Sequence, residues 1–230
     1  MRTQHELAAI IPTLNAAAGL GRTLDALRGQ VAEIILADGG STDATPAIAA
    51  AAGARLVPAP RGRGSQIAAG TAAATAPWLL VIHADTIPGP GWAEAAAGFV
   101  ADPANAARAA HFRFALDDAG PEARRLERAV AWRCRALGLP YGDQGLLIAR
   151  GFLDSLGGYR NIPIMEDVDL VRRIGRARLV ALDPPFVTSA ERWRAEGWWR
   201  RSARNLFCLS LWFAGVPPGR IARLYARGRR

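Results

Sequence analysis

The sequence contains no lysine, two cysteines and three histidines. Cys134 and Cys208 stand alone, with no CxxC and no Cys/His cluster, which excludes a disulfide framework and a structural zinc. The late apolar run from Leu206 to Val216 holds eleven residues. A bilayer needs roughly 20, so no transmembrane span is expected. No GxxxxGK[ST] occurs, and in Arg61-Gly62-Arg63-Gly64 a third glycine is missing, because Ile67 stands in its place. Classical dinucleotide binding and P-loop chemistry are therefore disfavoured. No internal repeat and no recognisable nucleic-acid module are present, so nucleic acid is not expected as a partner. The polar start, Met1 to Glu6, carries no secretory signal, and a cytoplasmic location is the expectation.

What is present is a chain of 230 residues, 50% hydrophobic and 21% charged, which suits a globular core with at most a short appendage. The net charge is +9, with arginine supplying all the positive side chains. The first hundred residues are close to balanced, whereas the chain from Arg172 onward is rich in arginine clusters. A basic C-terminal segment suits solvation, an anionic phospholipid or a diphosphate.

Strand and helix alternate four times in the first 85 residues. Leu7 to Ile11, Glu33 to Ala37 and Arg55 to Val57 read as strands, and Trp78-Leu79-Leu80-Val81-Ile82 as a fourth, buried on both faces and ending in His83-Ala84-Asp85. Helices are expected around Leu20 to Leu27, from Thr45-Pro46 to Gly53 and from about Ser65 to Ala76. This pattern argues for an α/β fold with a parallel sheet covered by helices. Later, Ala110 to Leu116 alternates like an edge or half-exposed strand, Pro121 to Leu137 reads as an amphipathic helix, and Leu146 to Ala149 as another strand. Met165-Glu166-Asp167-Val168-Asp169 opens a helix through about Ile174, and Leu179 to Leu182 is a strand leading to Asp183-Pro184-Pro185.

Parallel strands would bring Thr13, Asn15, Asp38, His83 and Asp85 to one edge of the sheet, where such folds bind ligands. Asp38 suits a nucleobase N–H or ribose hydroxyl, although Asp-Gly-Gly is also a turn. Asp85 offers the hard oxygen that Mg²⁺ or Mn²⁺ prefers, with diphosphate oxygens completing the shell. His83 is read as strand-end packing. Arg61 and Arg63 either face a phosphate at a helix start or lie in a solvated loop. Glu166, Asp167 and Asp169 either complement the helix dipole or include a general base.

Ile11-Pro12-Thr13-Leu14-Asn15, Ala37-Asp38-Gly39-Gly40-Ser41-Thr42-Asp43, Leu80-Val81-Ile82-His83-Ala84-Asp85 and Met165-Glu166-Asp167-Val168-Asp169, in this order, resemble family 2 glycosyltransferases of the GT-A fold. Gly142-Asp143-Gln144-Gly145 and His83-Ala84-Asp85-Thr86 are similar to the bacterial subgroup associated with radical-SAM and selenodomain proteins.

The resemblance implies a GT-A domain over 1–190, with a nucleotide-binding half (1–87) and an acceptor half (88–190), then a basic, Trp-rich helical segment over 191–230. It implies a nucleoside diphosphate sugar donor held by Pro12, Thr13, Asn15, Asp38, Arg61, Arg63 and Ala84. Asp85 takes the metal, Mn²⁺ or Mg²⁺, in the family's DxD position, whose first acid is His83 here. Asp167 is the implied base, with Asp169 as its substitute, and Asp143, Gln144 and Glu166 lie on the sugar or acceptor side. Glu191-Arg192-Trp193 only partly echoes the motif of processive members, which implies transfer of one sugar, with inversion. Trp198, Trp199 and Trp212 among arginines suit either a core-packed terminal helix or peripheral contact with a membrane bearing a lipid-linked acceptor. A nucleotidyltransferase and a catalytically inactive nucleotide-sugar or glycan-binding protein are the alternatives.

Overall fold

A computed structural model describes residues 6–227. Its strands are β1 (Leu7–Thr13), β2 (Glu33–Asp38), β3 (Arg55–Pro58), β4 (Trp78–Val81), β5 (Thr86–Pro88), β6 (Ala109–Leu116), β7 (Leu146–Ala149) and β8 (Leu179–Thr188). They form one sheet in the order β3-β2-β1-β4-β7-β6-β8-β5. The first four are parallel, as the alternation of elements predicts, and β6 and β8 are also parallel. The fold is α/β with a mostly parallel central sheet, flanked by helices.

The apolar run of β1 is buried on both faces because each face has its own helical layer. Ile10 joins Ile35, Leu79 and Ile148 under α3 (Arg63–Ala73), while Ile11 joins Leu36, Leu80 and Leu147 under α1 (Ala17–Leu27) and α4 (Trp92–Ala101). Gly70 of α3 fits this layer because a Cβ there would stand 2.6 Å from Ile10 Cγ2. Thr45–Ala51 forms α2, Pro121–Leu137 forms α5, Arg150–Ser155 forms α6 and Glu166–Ile174 forms α7.

Three expectations change. The strand from Trp78 stops at Val81, and His83 to Asp85 form a turn that carries the chain across to β5 beside β8. The segment expected at an edge or half-exposed, β6, is central and nearly all buried. The alternation comes from polar His111, whose imidazole is nevertheless buried, with Gln144 Nε2 3.3 Å from its Nδ1. Finally, β8 runs through Pro184 and Pro185 to Thr188, because a bulge opposite Phe112 and Arg113 absorbs the prolines.

The C-terminal part is helical: α8 (Glu191–Glu196), α9 (Trp198–Phe213) and α10 (Pro218–Arg227). Cys208 and Ile221 bury against Ile164, so this segment closes over the 157–165 loop. No helix among the described residues is long and apolar enough to cross a membrane.

Candidate active site

Parallel register places Thr13 directly beside Asp38 at the carboxyl edge. There the Thr13 hydroxyl donates to Asp38 Oδ1 at 3.0 Å, and Gly40 and Ser41 backbone N–H groups donate to Oδ2 at 3.0 and 2.8 Å. The Ser41 hydroxyl adds a fourth bond. Burial raises this carboxyl's pKa and the bonds outweigh it, so Asp38 stays ionised below the usual carboxylate range. These four bonds anchor the 38–41 loop to β1 and leave Asp38 only 7% exposed at the sheet edge. Asn15, with φ of 50°, accepts from Thr42 N–H at 2.9 Å and ties that loop to β1.

This edge forms the floor of a two-lobed cleft. One lobe, about 520 Å³, is lined by Pro12, Thr13, Asn15, Gly19 and Ala84 among others. The other, about 250 Å³, lies toward α5 and α9 and holds Asp143 and Asp167 with Phe114, Leu126, Val130 and Leu209. Arg63, His83, Asp85, Arg192 and Tyr225 border both lobes. The junction therefore combines cations with a carboxylate.

Asp85 has no hydrogen bond or ion pair to its carboxylate among the described residues. A free carboxylate facing a cleft is the donor a hard divalent cation uses. The described residues contain no group of three His, Cys, Asp or Glu able to hold a metal alone. The donor set thus fits an ion that arrives with oxygen ligands of its own, such as diphosphate and water. His83 has its pKa lowered to about 4, first by burial and then by Arg63, so its ring is neutral. The ring sits against Gly142, where a Cβ would come within 2.5 Å of Nε2, in keeping with a packing role.

Asp167, at the start of α7, points into the second lobe. Its Oδ2 accepts from Gly142 N–H at 3.0 Å and its Oδ1 from Val168 N–H at 2.7 Å. Asp143 borders the same lobe with Oδ1 buried and unpartnered, and burial pushes its pKa up to about 6. Met165, at φ 67°, turns the chain so that Glu166 goes inward while Asp167 faces the cleft. Glu166 is 1% exposed and lies 3.0 Å from Arg63 Nε. Burial raises its pKa to about 7, against the pull of Arg63, and that pair holds the Arg63 guanidinium charged.

Three other expected site residues lie elsewhere. Asp169 is buried in ion pairs with Arg160 at 2.8 Å and Arg173 at 2.7 Å, which leaves it no access to the cleft and removes it as a substitute base. Gln144 turns under β6, where its Nε2 donates to Phe112 O at 3.1 Å and its Oε1 accepts from Tyr141 N–H at 3.2 Å, so it is structural. Arg61 stays outside both lobes with its Nε donating to Gly39 O at 3.2 Å. Sequence reasoning gave no role to Arg133, which stacks 3.4 Å over the Tyr141 ring in the second lobe. Arg192 was seen only as part of a motif echo, yet it lies at the junction with no acidic partner among the described residues. No local signal marked either one, because α5 and α8 meet the cleft only in the folded chain.

Residues 8–149 match the profile of Glycosyl transferase family 2. A comparison with curated proteins gave no match. Among solved structures, the chain is similar to glucosyl-3-phosphoglycerate synthase from Mycobacterium tuberculosis in complex with Mn²⁺, UDP and glucosyl-3-phosphoglycerate. That likeness has 23% identity and a TM-score of 0.56, and covers 78% of this chain and 70% of the other. The same enzyme in complex with Mg²⁺ and UDP matches at 24% identity and a TM-score of 0.56, over 78% and 69%. In complex with phosphoglyceric acid it matches at 23% and 0.57, over 78% and 70%. Likeness at this identity is one of fold.

Proposed function

The chain belongs to glycosyl transferase family 2, and from that premise we propose that it moves one sugar from a nucleoside diphosphate sugar to an acceptor hydroxyl, inverting the anomeric carbon. The observation that carries this reading is the division of the cleft. Asp85 and two arginines stand at the junction of the lobes, and Asp167 faces only the one away from Thr13 and Asn15. A donor seated along Pro12, Thr13, Asn15 and Ala84 would place its diphosphate at that junction and its sugar toward Asp167.

Asp85 would hold Mn²⁺ or Mg²⁺, and a bound ion supplies positive charge to the diphosphate. The similar solved enzyme carries both metals in its complexes with UDP, which supports the assignment. Arg63 and Arg192 face the same place and would stabilise charge that grows on the departing diphosphate. Asp167, steadied by the Gly142 and Val168 N–H groups, would take the acceptor hydroxyl's proton as that oxygen attacks. The test is product analysis over a panel of nucleoside diphosphate sugars with Mn²⁺. Release of nucleoside diphosphate supports sugar transfer, pyrophosphate points to nucleotidyl transfer, and donor binding without turnover marks an inactive binder.

The proposal extends to a lipid-linked acceptor, reached by peripheral contact of residues 191–230 with an anionic membrane. On α9, Trp199, Leu206 and Phe213 recur every seven residues on one face and are 77, 67 and 50% exposed, with Phe207 beside them. Leu206 also borders the second lobe, so the apolar face meets the cleft's mouth. From Gly197 onward there is no acidic residue, and Arg172 flanks the patch 4.9 Å from the Phe213 ring. Apolar insertion with arginines at the headgroups is how interfacial helices bind. Flotation with anionic liposomes tests it, and failure to float refutes the membrane contact without touching the donor assignment.

A further inference from the structure

We propose that Glu166 is a positioning residue for Arg63, and that a small chamber behind it holds one ordered water that supplies the hydrogen bonds its carboxylate lacks. This rests on the donor assignment above only for what Arg63 does in the cleft; the placement of Arg63 itself stands on geometry.

Glu166 is 1% exposed, and the Arg63 Nε at 3.0 Å from Oε1 is its partner of opposite charge. Neither carboxylate oxygen receives an aligned hydrogen bond from the described residues. Buried carboxylates are ordinarily bonded through most of their acceptor sites, so two orphaned oxygens call for an unseen donor. Behind Glu166 lies a chamber of about 20 Å³, bordered also by His83, Tyr141, Tyr159 and Asp167. One water needs roughly 10–15 Å³, which the chamber provides, and two to four polar partners, for which Glu166 and the tyrosine hydroxyls are the candidates on a lining otherwise largely made of Ile67, Val81, Pro140, Leu146 and Val171. Burial holds Tyr159 protonated far beyond the usual tyrosine range, so its hydroxyl remains a donor for such a water.

Arg63 opens α3 and keeps 40% of its side chain exposed to the cleft, so without an anchor it would be free to turn toward solvent. Its backbone is already fixed. Gly64 N–H donates to Ile162 O at 3.1 Å, and a Cβ on Gly64 would stand 2.2 Å from Arg160 O. The main chain thus sets where Arg63 starts, and Glu166 sets where its guanidinium ends. Met165, in the left-handed region, is the backbone strain that points Glu166 inward.

Two measurements test this. The first needs no donor: a crystal structure of the ligand-free protein at high resolution. It is expected to show a water bonded to Glu166 in the chamber and Arg63 in one conformer, with Arg63 in several conformers in Glu166→Gln. A dry chamber, or an Arg63 equally ordered in the variant, overturns the proposal. The second is calorimetry of UDP with Mn²⁺ on the wild type, Glu166→Gln, Arg63→Met and the double variant, with thermal melts alongside. Glu166→Gln is expected to weaken UDP at least about tenfold with little change in Tm, and to raise the donor KM more than it lowers kcat. The double variant is expected to lose no more than Arg63→Met alone. Additive losses overturn the positioning role. A wild type that fails to bind any nucleoside diphosphate refutes the donor assignment instead, while the crystallographic result still decides the Glu166–Arg63 pair.

Discussion

Replacing Asp167 by asparagine removes the proposed base while keeping the side chain's shape. In the folded chain Oδ2 accepts from Gly142 N–H and Oδ1 from Val168 N–H, at 3.0 and 2.7 Å. Asparagine has one carbonyl oxygen, so one of these bonds survives and the other meets an amide donor. The loss is about 1 kcal/mol of net hydrogen bonding, up to about 3 kcal/mol if the N–H is left stranded. Domains of this kind are held by about 5–15 kcal/mol, so Asp167→Asn should fold. Its catalytic cost is of another order. Losing a well-placed general base lowers rates roughly 10²- to 10⁴-fold, or about 3–5 kcal/mol of barrier. The assay is release of nucleoside diphosphate at saturating donor and acceptor, with nucleotide affinity measured separately. The expected outcome is a loss of kcat in that range with donor affinity within a few fold, because Asp167 lies outside the donor lobe. Wild-type turnover in a folded Asp167→Asn protein would refute the reasoning.

Asp85→Ala should abolish the Mn²⁺-dependent part of nucleoside diphosphate binding while leaving the melting temperature nearly unchanged, since the carboxylate anchors no described residue; equal affinity with and without the side chain counts against it as the ligand. Asp169→Ala should behave in the opposite way: it strands Arg160 and Arg173 and should lower stability by about 3–5 kcal/mol in denaturant melts, with near-normal turnover per folded molecule. Asp143 has a folded pKa near 6 against an ordinary value of 3.8, so between those values the folded state holds more protons than the unfolded one and stability falls as pH rises. Asp143→Asn should therefore flatten the slope between about pH 4 and 6 and raise stability at pH 7 by up to about 3 kcal/mol; a slope that persists in the variant argues against the buried charge. Changing Trp199, Leu206 and Phe213 together to serine should end flotation with anionic liposomes, with nucleotide binding preserved.

How much of this was legible in the sequence depended on how local the cause was. The strands β1, β2 and β4 announced themselves because burial on both faces demands unbroken apolar runs such as Leu7 to Ile11. The turn of Asp38-Gly39-Gly40-Ser41 was equally local, and parallel strands predicted that Thr13 and Asp38 would reach the same edge of the sheet, where the register then sets them side by side. The same local strength hid the bonding of Asp38. A carboxylate flanked by Gly40, Ser41 and Thr13 finds four donors within its own loop, and no spacing rule reveals that its acceptor sites are filled.

The three acids near the start of α7 pose this problem most sharply. On the sequence Glu166, Asp167 and Asp169 are interchangeable, each suited to a helix N-terminus. Successive residues on a helix point about 100° apart, so adjacent acids must enter different surroundings. Glu166 turns inward to Arg63, Asp167 faces the cleft and Gly142, and Asp169 meets Arg160 and Arg173. Which acid gets which partner is fixed by the Gly62 turn and the 139–145 loop, both distant in the chain, and for Asp169 by the adjoining 157–165 loop, which Arg173 pins through Leu156 O and Gly158 O. Those segments carry weak patterns of their own, because their conformations are held by tertiary bonds rather than by periodic apolar burial. The chemistry of the cluster was therefore visible as composition, but its division into anchor, base and strut exists only after the sheet has brought residues a hundred positions apart into one cleft.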